Sequence, residues 1–130
     1  FGTAIIWITH DLSVVAGLAD TIAVMYAGKI VEKGAIDDVL DRPLHPYTRG
    51  LLDSVPQIGQ ARGRLRQFPG MTPSLLNLPK GCPVQPRCMR ASAQCQIPPE
   101  LLPQIGSQFV SCHHPIGTRD TDQSFEDKLV

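Results

Sequence analysis

Thr21-Ile22-Ala23-Val24-Met25-Tyr26-Ala27-Gly28-Lys29-Ile30-Val31-Glu32-Lys33-Gly34 is the stretch that decides the fold. β-Branched and aromatic residues flank a two-residue Ala27-Gly28 turn, so the run predicts a β-hairpin of Thr21 to Tyr26 against Lys29 to Lys33, ended by Gly34. Upstream, Thr3-Ala4-Ile5-Ile6-Trp7-Ile8 is apolar without alternation, the pattern of a strand buried on both faces of a parallel sheet. A lone buried strand is not viable, so its neighbours are expected in preceding sequence or in a partner chain. Asp11 reads as the N-cap of a helix reaching about Ala19, with Leu12, Val15 and Ala19 on one stripe and Val14 and Leu18 beside it.

Downstream, Ile36, Val39 and Leu40 give a short amphipathic helix that stops before Pro43. Pro46 suits the first residue of a further helix through about Ser54, with Tyr47 and Leu51 on one face. His45, between Pro43 and Pro46, reads as a capping or turn residue. Strand, helix, hairpin and two short helices form the tail of an α/β nucleotide-binding unit rather than a whole one.

The 12 basic and 12 acidic residues cancel over the 130-residue chain, but they are unevenly placed. Residues 1–60 carry 4 basic and 7 acidic side chains, residues 61–115 carry 6 and 1, and residues 116–130 carry 2 and 4, so only the middle is basic. Ten of the 12 prolines and all four cysteines also fall between Pro56 and Pro115, where turns and extended chain should replace regular structure. No apolar run approaches the roughly 20 residues needed to span a bilayer. Phe1 to Ile8 lacks an initiator Met and a basic leader, so it does not read as a signal peptide, and the chain reads as part of something longer. Arg62, Arg64 and Arg66 alternate along an extended segment, but no aromatic platform is interleaved with them, which favours a solvated edge over nucleic acid. Acidic lipid headgroups or a loop of a membrane subunit are the alternative contacts for this edge. Thr118 to Val130 is polar and acidic, the composition of a disordered tail.

Three runs carry a resemblance: Ile8-Thr9-His10-Asp11-Leu12-Ser13-Val14-Val15, Ala19 through Gly34, and His45-Pro46-Tyr47-Thr48-Arg49-Gly50-Leu51-Leu52. Together they resemble the ATPase subunit of oligopeptide/dipeptide ABC importers. The likeness continues through Pro73-Ser74-Leu75-Leu76-Asn77-Leu78-Pro79-Lys80-Gly81-Cys82, Pro86-Arg87-Cys88 and Cys95 to Cys112-His113, which is similar to the C-terminal extension of that branch. It covers roughly residues 3–115. The resemblance implies an α/β fold: residues 1–56 as the C-terminal part of a P-loop NTPase-type ABC ATPase domain, residues 57–115 as a small irregular Pro/Cys-rich extension, and residues 116–130 as a tail.

For His10 the resemblance implies the switch histidine, which contacts the ATP γ-phosphate and helps hold the attacking water. A neutral imidazole can donate one hydrogen bond to a phosphoryl oxygen while its other nitrogen is held, and phosphoryl transfer depends on such positioning. The chain has no Gly-x-x-x-x-Gly-Lys-Ser/Thr loop, no Leu-Ser-Gly-Gly-Gln signature and no strand ending in an Asp-Glu pair. The expectation is therefore that this polypeptide alone neither binds ATP tightly nor hydrolyses it, while the whole protein uses ATP and Mg²⁺. The resemblance further implies a second ATPase subunit, transmembrane permease subunits, a substrate-binding protein, and a place on the cytoplasmic face of the cell membrane. Peptide is the first choice of cargo, and nickel or another solute the second.

Cys82, Cys88, Cys95 and Cys112 are spaced C-x5-C-x6-C-x16-C within 31 residues. That spacing fits neither common zinc pattern. A four-thiolate site is still chemically sensible, since soft ligands suit iron-sulfur clusters or zinc and can fix a segment with little apolar core. The resemblance implies a 4Fe-4S cluster here. Zinc, two disulfides and four free thiols are the alternatives, disulfides being disfavoured in a reducing cytoplasm. His113 or His114 could replace a thiolate but is not needed while four cysteines are at hand. A second function class is thus a non-enzymatic metal-binding or redox module built on the cysteines.

Overall fold

The computed structural model describes residues 2–55 and 67–117. The hairpin forms where the sequence puts it: β1 (Thr21–Tyr26) pairs antiparallel with β2 (Lys29–Ala35), and Tyr26 faces Lys29 across the turn. Ala27 and Gly28 both adopt positive φ, 50° and 79°, the type I′ geometry whose twist matches that of the strands. Gly34 does not end the hairpin, because the ladder continues through Thr21 and Ala35.

β1 alternates, burying Ile22, Val24 and Tyr26. β2 does not. The register slips between Val24 and Met25, whose partners are Glu32 and Ile30, so Val31 is the extra residue of a bulge and both Val31 and Glu32 turn inward.

α1 is shorter than expected, Leu12–Ala16, because Gly17 caps it. The Asp11 carboxylate accepts from the Ser13 amide at its start, and Leu12 and Val15 pack on the core. α2 (Ile36–Asp41) follows β2 directly, and α3 (Pro46–Asp53) starts at Pro46 with His45 as N-cap.

The predicted strand from Thr3 to Ile8 is not formed. Residues 2–9 carry no regular structure, and Ile5, Ile6, Trp7 and Ile8 are 79%, 92%, 65% and 92% exposed. Among the described residues nothing offers this run a hydrogen-bond ladder, and an unpaired strand has no partner for its own amides.

From residue 67 onward, turns replace long elements, as the prolines require. Three 3₁₀ turns at Leu75–Asn77, Gln85–Arg87 and Ala93–Gln96 precede two-residue strands, β3 (Leu102–Pro103) and β4 (Phe109–Val110). These join the hairpin in a four-stranded sheet of order β1-β2-β4-β3, so the irregular segment completes the sheet begun by the hairpin.

One core serves both parts. Cys82, Val84 and Cys95 pack with Ile22, Val24, Tyr26, Val31, Ile36 and Val39. At its rim Tyr26, Tyr47 and Phe68 meet edge to face, with centroids 4.7 and 5.3 Å apart. Arg87 fastens that stack: Nε donates to the Pro69 carbonyl at 2.8 Å, Nη2 to the Phe68 carbonyl at 3.3 Å, and the guanidinium lies 5.0 Å from the Phe68 ring centroid. Arg62, Arg64, Arg66 and the acidic tail from Thr118 lie outside the described residues.

Candidate functional site

His10 stands exposed at the bend between the unpaired residues 2–9 and α1. The backbone on each side of it is fixed locally: the Asp11 amide donates to Thr9 Oγ1 at 3.0 Å, and the Ser13 amide to Asp11 Oδ1 at 2.9 Å. The Ser13 hydroxyl and amide hold the Asp11 carboxyl below its usual range. The imidazole therefore leaves the chain from a pinned hinge, toward solvent.

The four cysteines are all free thiols, two of them buried and two half-buried. Cys82 closes a backbone contact between segments, its amide donating to the Cys95 carbonyl at 2.8 Å. Burial pushes the Cys82 and Cys88 thiols up, and that of Cys112 up to about 12, the other three thiols adding to the rise at Cys112 as lesser causes. The fold thus brings the four thiols within electrostatic reach of one another.

They do not, however, close a cage. Among the described residues no group of three or more His, Cys, Asp or Glu side chains is arranged to hold a metal ion. A single ion would need the sulfurs of Cys82, Cys88, Cys95 and Cys112 converged at about 2.3 Å from one centre and deprotonated. His113 and His114 are committed elsewhere, Nε2 of each lying 2.8 Å from the Ile97 carbonyl and 2.6 Å from Ser92 Oγ respectively.

Sequence reasoning missed a buried polar cluster around Glu32 of β2. Glu32 is fully buried, and its two oxygens accept the amides of Leu44 at 2.8 Å and His45 at 2.9 Å. Burial raises its carboxyl even so, and the buried Thr48 hydroxyl lies beside it. Gln108, 2% exposed, donates from Nε2 to the Arg42 carbonyl at 2.8 Å, the Asp38 carbonyl at 3.2 Å and Glu32 Oε1 at 3.4 Å.

His45 lies 1% exposed in the same cluster, its Nδ1 accepting the Tyr47 amide at 3.0 Å. That bond leaves the proton on Nε2, which is enclosed near the Ser111 backbone without completing a hydrogen bond. The reading of His45 as a cap is right as far as it goes. Nothing in the sequence announced the rest, because alternation along β2 sends Glu32 to solvent and only the bulge turns it inward.

No helix among the described residues is long and apolar enough to cross a membrane. Comparison with known proteins adds what the geometry leaves open. The chain is 48% identical over 112 residues to the oligopeptide transport ATP-binding protein OppD of Haemophilus influenzae, covering 86% of this chain and 35% of that protein. It is 41% identical over 124 residues to the dipeptide transport ATP-binding protein DppD of the same organism, covering 95% of this chain and 37% of that protein. To the oligopeptide transport ATP-binding protein AppD of Bacillus subtilis it is 44% identical over 113 residues, 86% of this chain and 34% of that protein. The chain therefore spans about a third of the length of the curated relatives it matches. The family described as "Oligopeptide/dipeptide transporter, C-terminal region" matches residues 31–95, half of the chain, from β2 through the third cysteine. With most of β2, both short helices that follow it and three of the four cysteines inside that match, this chain belongs to the C-terminal-region family of oligopeptide/dipeptide transporters.

Proposed function

We propose that this chain is the C-terminal portion of the ATP-hydrolysing subunit that powers peptide import through an ABC transporter. The observation that carries the reading is 41–48% identity over 86–95% of the chain to relatives named as peptide transport ATP-binding proteins. Within it, residues 1–56 are the tail of the ATPase domain, residues 57–115 the peptide-importer extension, and residues 116–130 a terminal tail. His10 donates a hydrogen bond to the γ-phosphate and steadies the attacking water, while the phosphate loop and the Mg²⁺-holding carboxylates come from the rest of the protein. The exposed run Ile5 to Ile8 then finds its ladder there, which places His10 at the end of a core strand. The partners are a second ATPase subunit, the permease subunits and a substrate-binding protein, on the cytoplasmic face of the membrane.

The test is ATP hydrolysis by the whole subunit, purified with the sequence that precedes this chain in its reading frame. His10→Ala is expected to lower kcat by about 100-fold or more, the usual loss for one positioned transition-state donor, with KM for ATP little changed. Hydrolysis by the variant at the parent rate would remove His10 from the mechanism.

For the cysteines, the finer reading is a 4Fe-4S cluster, with zinc second. Its support is the donor set: four free thiols in electrostatic reach of each other, none spent in a disulfide. When bound, such a cluster would supply a fixed cross-link among the turns at Cys82, Cys88, Cys95 and Cys112, and loading it requires those buried thiols to give up their protons. Iron, acid-labile sulfide and zinc are measured in anaerobically purified protein and in Cys88→Ser. Iron and sulfide in near-equal amounts, lost in the variant, is the expected result; zinc alone or no metal rejects the cluster.

A further inference from the structure

Residues 68–81 leave the core and return to it as one loop, and both ends are tied down. At the first end the Phe68 ring packs on Tyr47, and Arg87 donates from Nε to the Pro69 carbonyl and from Nη2 to the Phe68 carbonyl. Gly70 then turns the chain at a φ of 80°, so close to Arg87 that an added Cβ would stand 3.0 Å from its Cγ. At the second end Gly81 seats against the backbone of Cys95 and Gln96, and the Cys82 amide donates to the Cys95 carbonyl. Between these ties the chain presents apolar side chains to solvent. Met71 is 88% exposed, Leu75 71% and Leu76 93%, the last two on the Leu75–Asn77 turn. That turn is built locally: Ser74 Oγ accepts the Leu76 amide at 3.3 Å and the Ser74 carbonyl the Asn77 amide at 3.1 Å. Three large apolar side chains held in water on a preformed turn mark a contact surface.

The charge along this part of the chain identifies the contact. Between Asp53 and Glu100 the sequence carries six basic residues, Arg62, Arg64, Arg66, Lys80, Arg87 and Arg90, and no acidic one. A second copy of this chain would bring the same positive charge against itself, which opposes like-to-like pairing through the tip. The complementary surface is negative on its outside and apolar just behind. An anionic phospholipid leaflet has that layering: basic side chains stay among its headgroups while apolar ones enter the acyl boundary.

We propose that the loop tip at Met71, Leu75 and Leu76 docks on an anionic lipid surface, with the exposed Lys80 beside it meeting the headgroups. Insertion takes the three apolar side chains out of water, and the fold has already ordered the turn that carries them, so little ordering remains to be done on binding. The extension thus makes a lipid contact of its own, separate from any contact with the permease.

The experiment uses the whole subunit, purified without the permease and floated with vesicles of phosphatidylcholine alone or with about 30% phosphatidylglycerol. It is expected to bind the anionic vesicles about tenfold or more tightly than the neutral ones at about 0.1 M salt, and to lose most of that margin at about 0.5 M. Leu75→Ser combined with Leu76→Ser removes apolar surface that the fold leaves in water, so the urea midpoint should match the parent's while binding to the anionic vesicles falls about tenfold or more. Lys80→Glu should weaken binding to the anionic vesicles about threefold or more and leave the neutral ones unchanged. Flotation needs no ATP turnover, so its failure leaves the hydrolysis test of His10 standing, and the reverse holds too. The double variant floating as well as the parent would overturn the proposal, as would equal binding of the parent to both kinds of vesicle. A parent that floats with neither also overturns it; a change in the double variant's sedimentation, or in its retention by the permease subunits, would then assign the tip to a protein contact.

Discussion

Gly81→Ala is expected to lower stability by about 3 kcal/mol or more, the range of severe overpacking, and to do so without changing any charge or hydrogen-bonding side chain. A Cβ built on Gly81 would overlap the Cys95 carbonyl oxygen and stand 2.5 Å from the Gln96 carbonyl carbon and 2.7 Å from its oxygen. All three are backbone atoms, so no rotamer change relieves the clash. The turn Ala93–Gln96 would have to retreat, breaking the Cys82 amide bond to the Cys95 carbonyl and drawing Cys95 out of the shared core. With a urea dependence of about 1.5 kcal/mol/M, the midpoint should fall by about 2 M. Gly17→Ala is the control, since its Cβ would meet open space at a backbone φ of −96°. The control should stay within about 0.5 kcal/mol of the parent. Equal midpoints for the two variants would show that the Gly81 contact does not hold the extension to the core.

The elements whose causes are local were legible in the sequence. The hairpin follows from two strand-forming runs and a turn that takes positive φ, and α3 from Pro46 with a capping residue before it. What could not be read was pairing at a distance. β4 is two residues long and pairs with Lys33 and Glu32 some 76 positions away, too short for any periodicity to announce it. The run Thr3 to Ile8 shows the converse: its composition is that of a strand, but composition supplies no partner, and in this chain the strand does not form.

The site was legible to the same extent. His10 and the four cysteines stood out because their residue types and neighbours carry chemistry, and the fold does bring the thiols together though not into an ion cage. Glu32 was passed over because strict alternation from Val31 sends it to solvent. The bulge opposite Val24 and Met25 breaks that alternation, and a bulge of one residue leaves no mark in the sequence. Once Glu32 is inside, amides from Leu44 and His45 and the carboxamide of Gln108 are required to satisfy its oxygens.

Acid should expose the same cluster through His45. Burial lowers its pKa from 6.5 to about 4, and a second proton would have to go on Nδ1, which already accepts the Tyr47 amide. Above pH 6.5 the imidazole is neutral in both folded and unfolded chains, so its contribution to stability is fully present. As pH falls from 6.5 to 4 the unfolded chain binds a proton that the folded chain refuses, and stability drops by up to about 3 kcal/mol, at about 1.4 kcal/mol for each pH unit crossed. Glu32 works in the opposite sense. Its carboxyl is raised above 4.5, so its contribution is greatest at low pH and is lost as pH rises through the raised value. Comparison with His45→Asn separates the two, because asparagine keeps an N-cap acceptor for the Tyr47 amide but does not titrate. At pH 7 the variant should be the less stable protein, by about 1–2 kcal/mol of lost packing. At pH 4 the order should reverse, since only the parent chain has lost the histidine contribution. Urea midpoints measured at half-unit steps between pH 7 and pH 4 should therefore cross; parallel curves would mean that His45 takes up its proton in the folded state without opening the cluster.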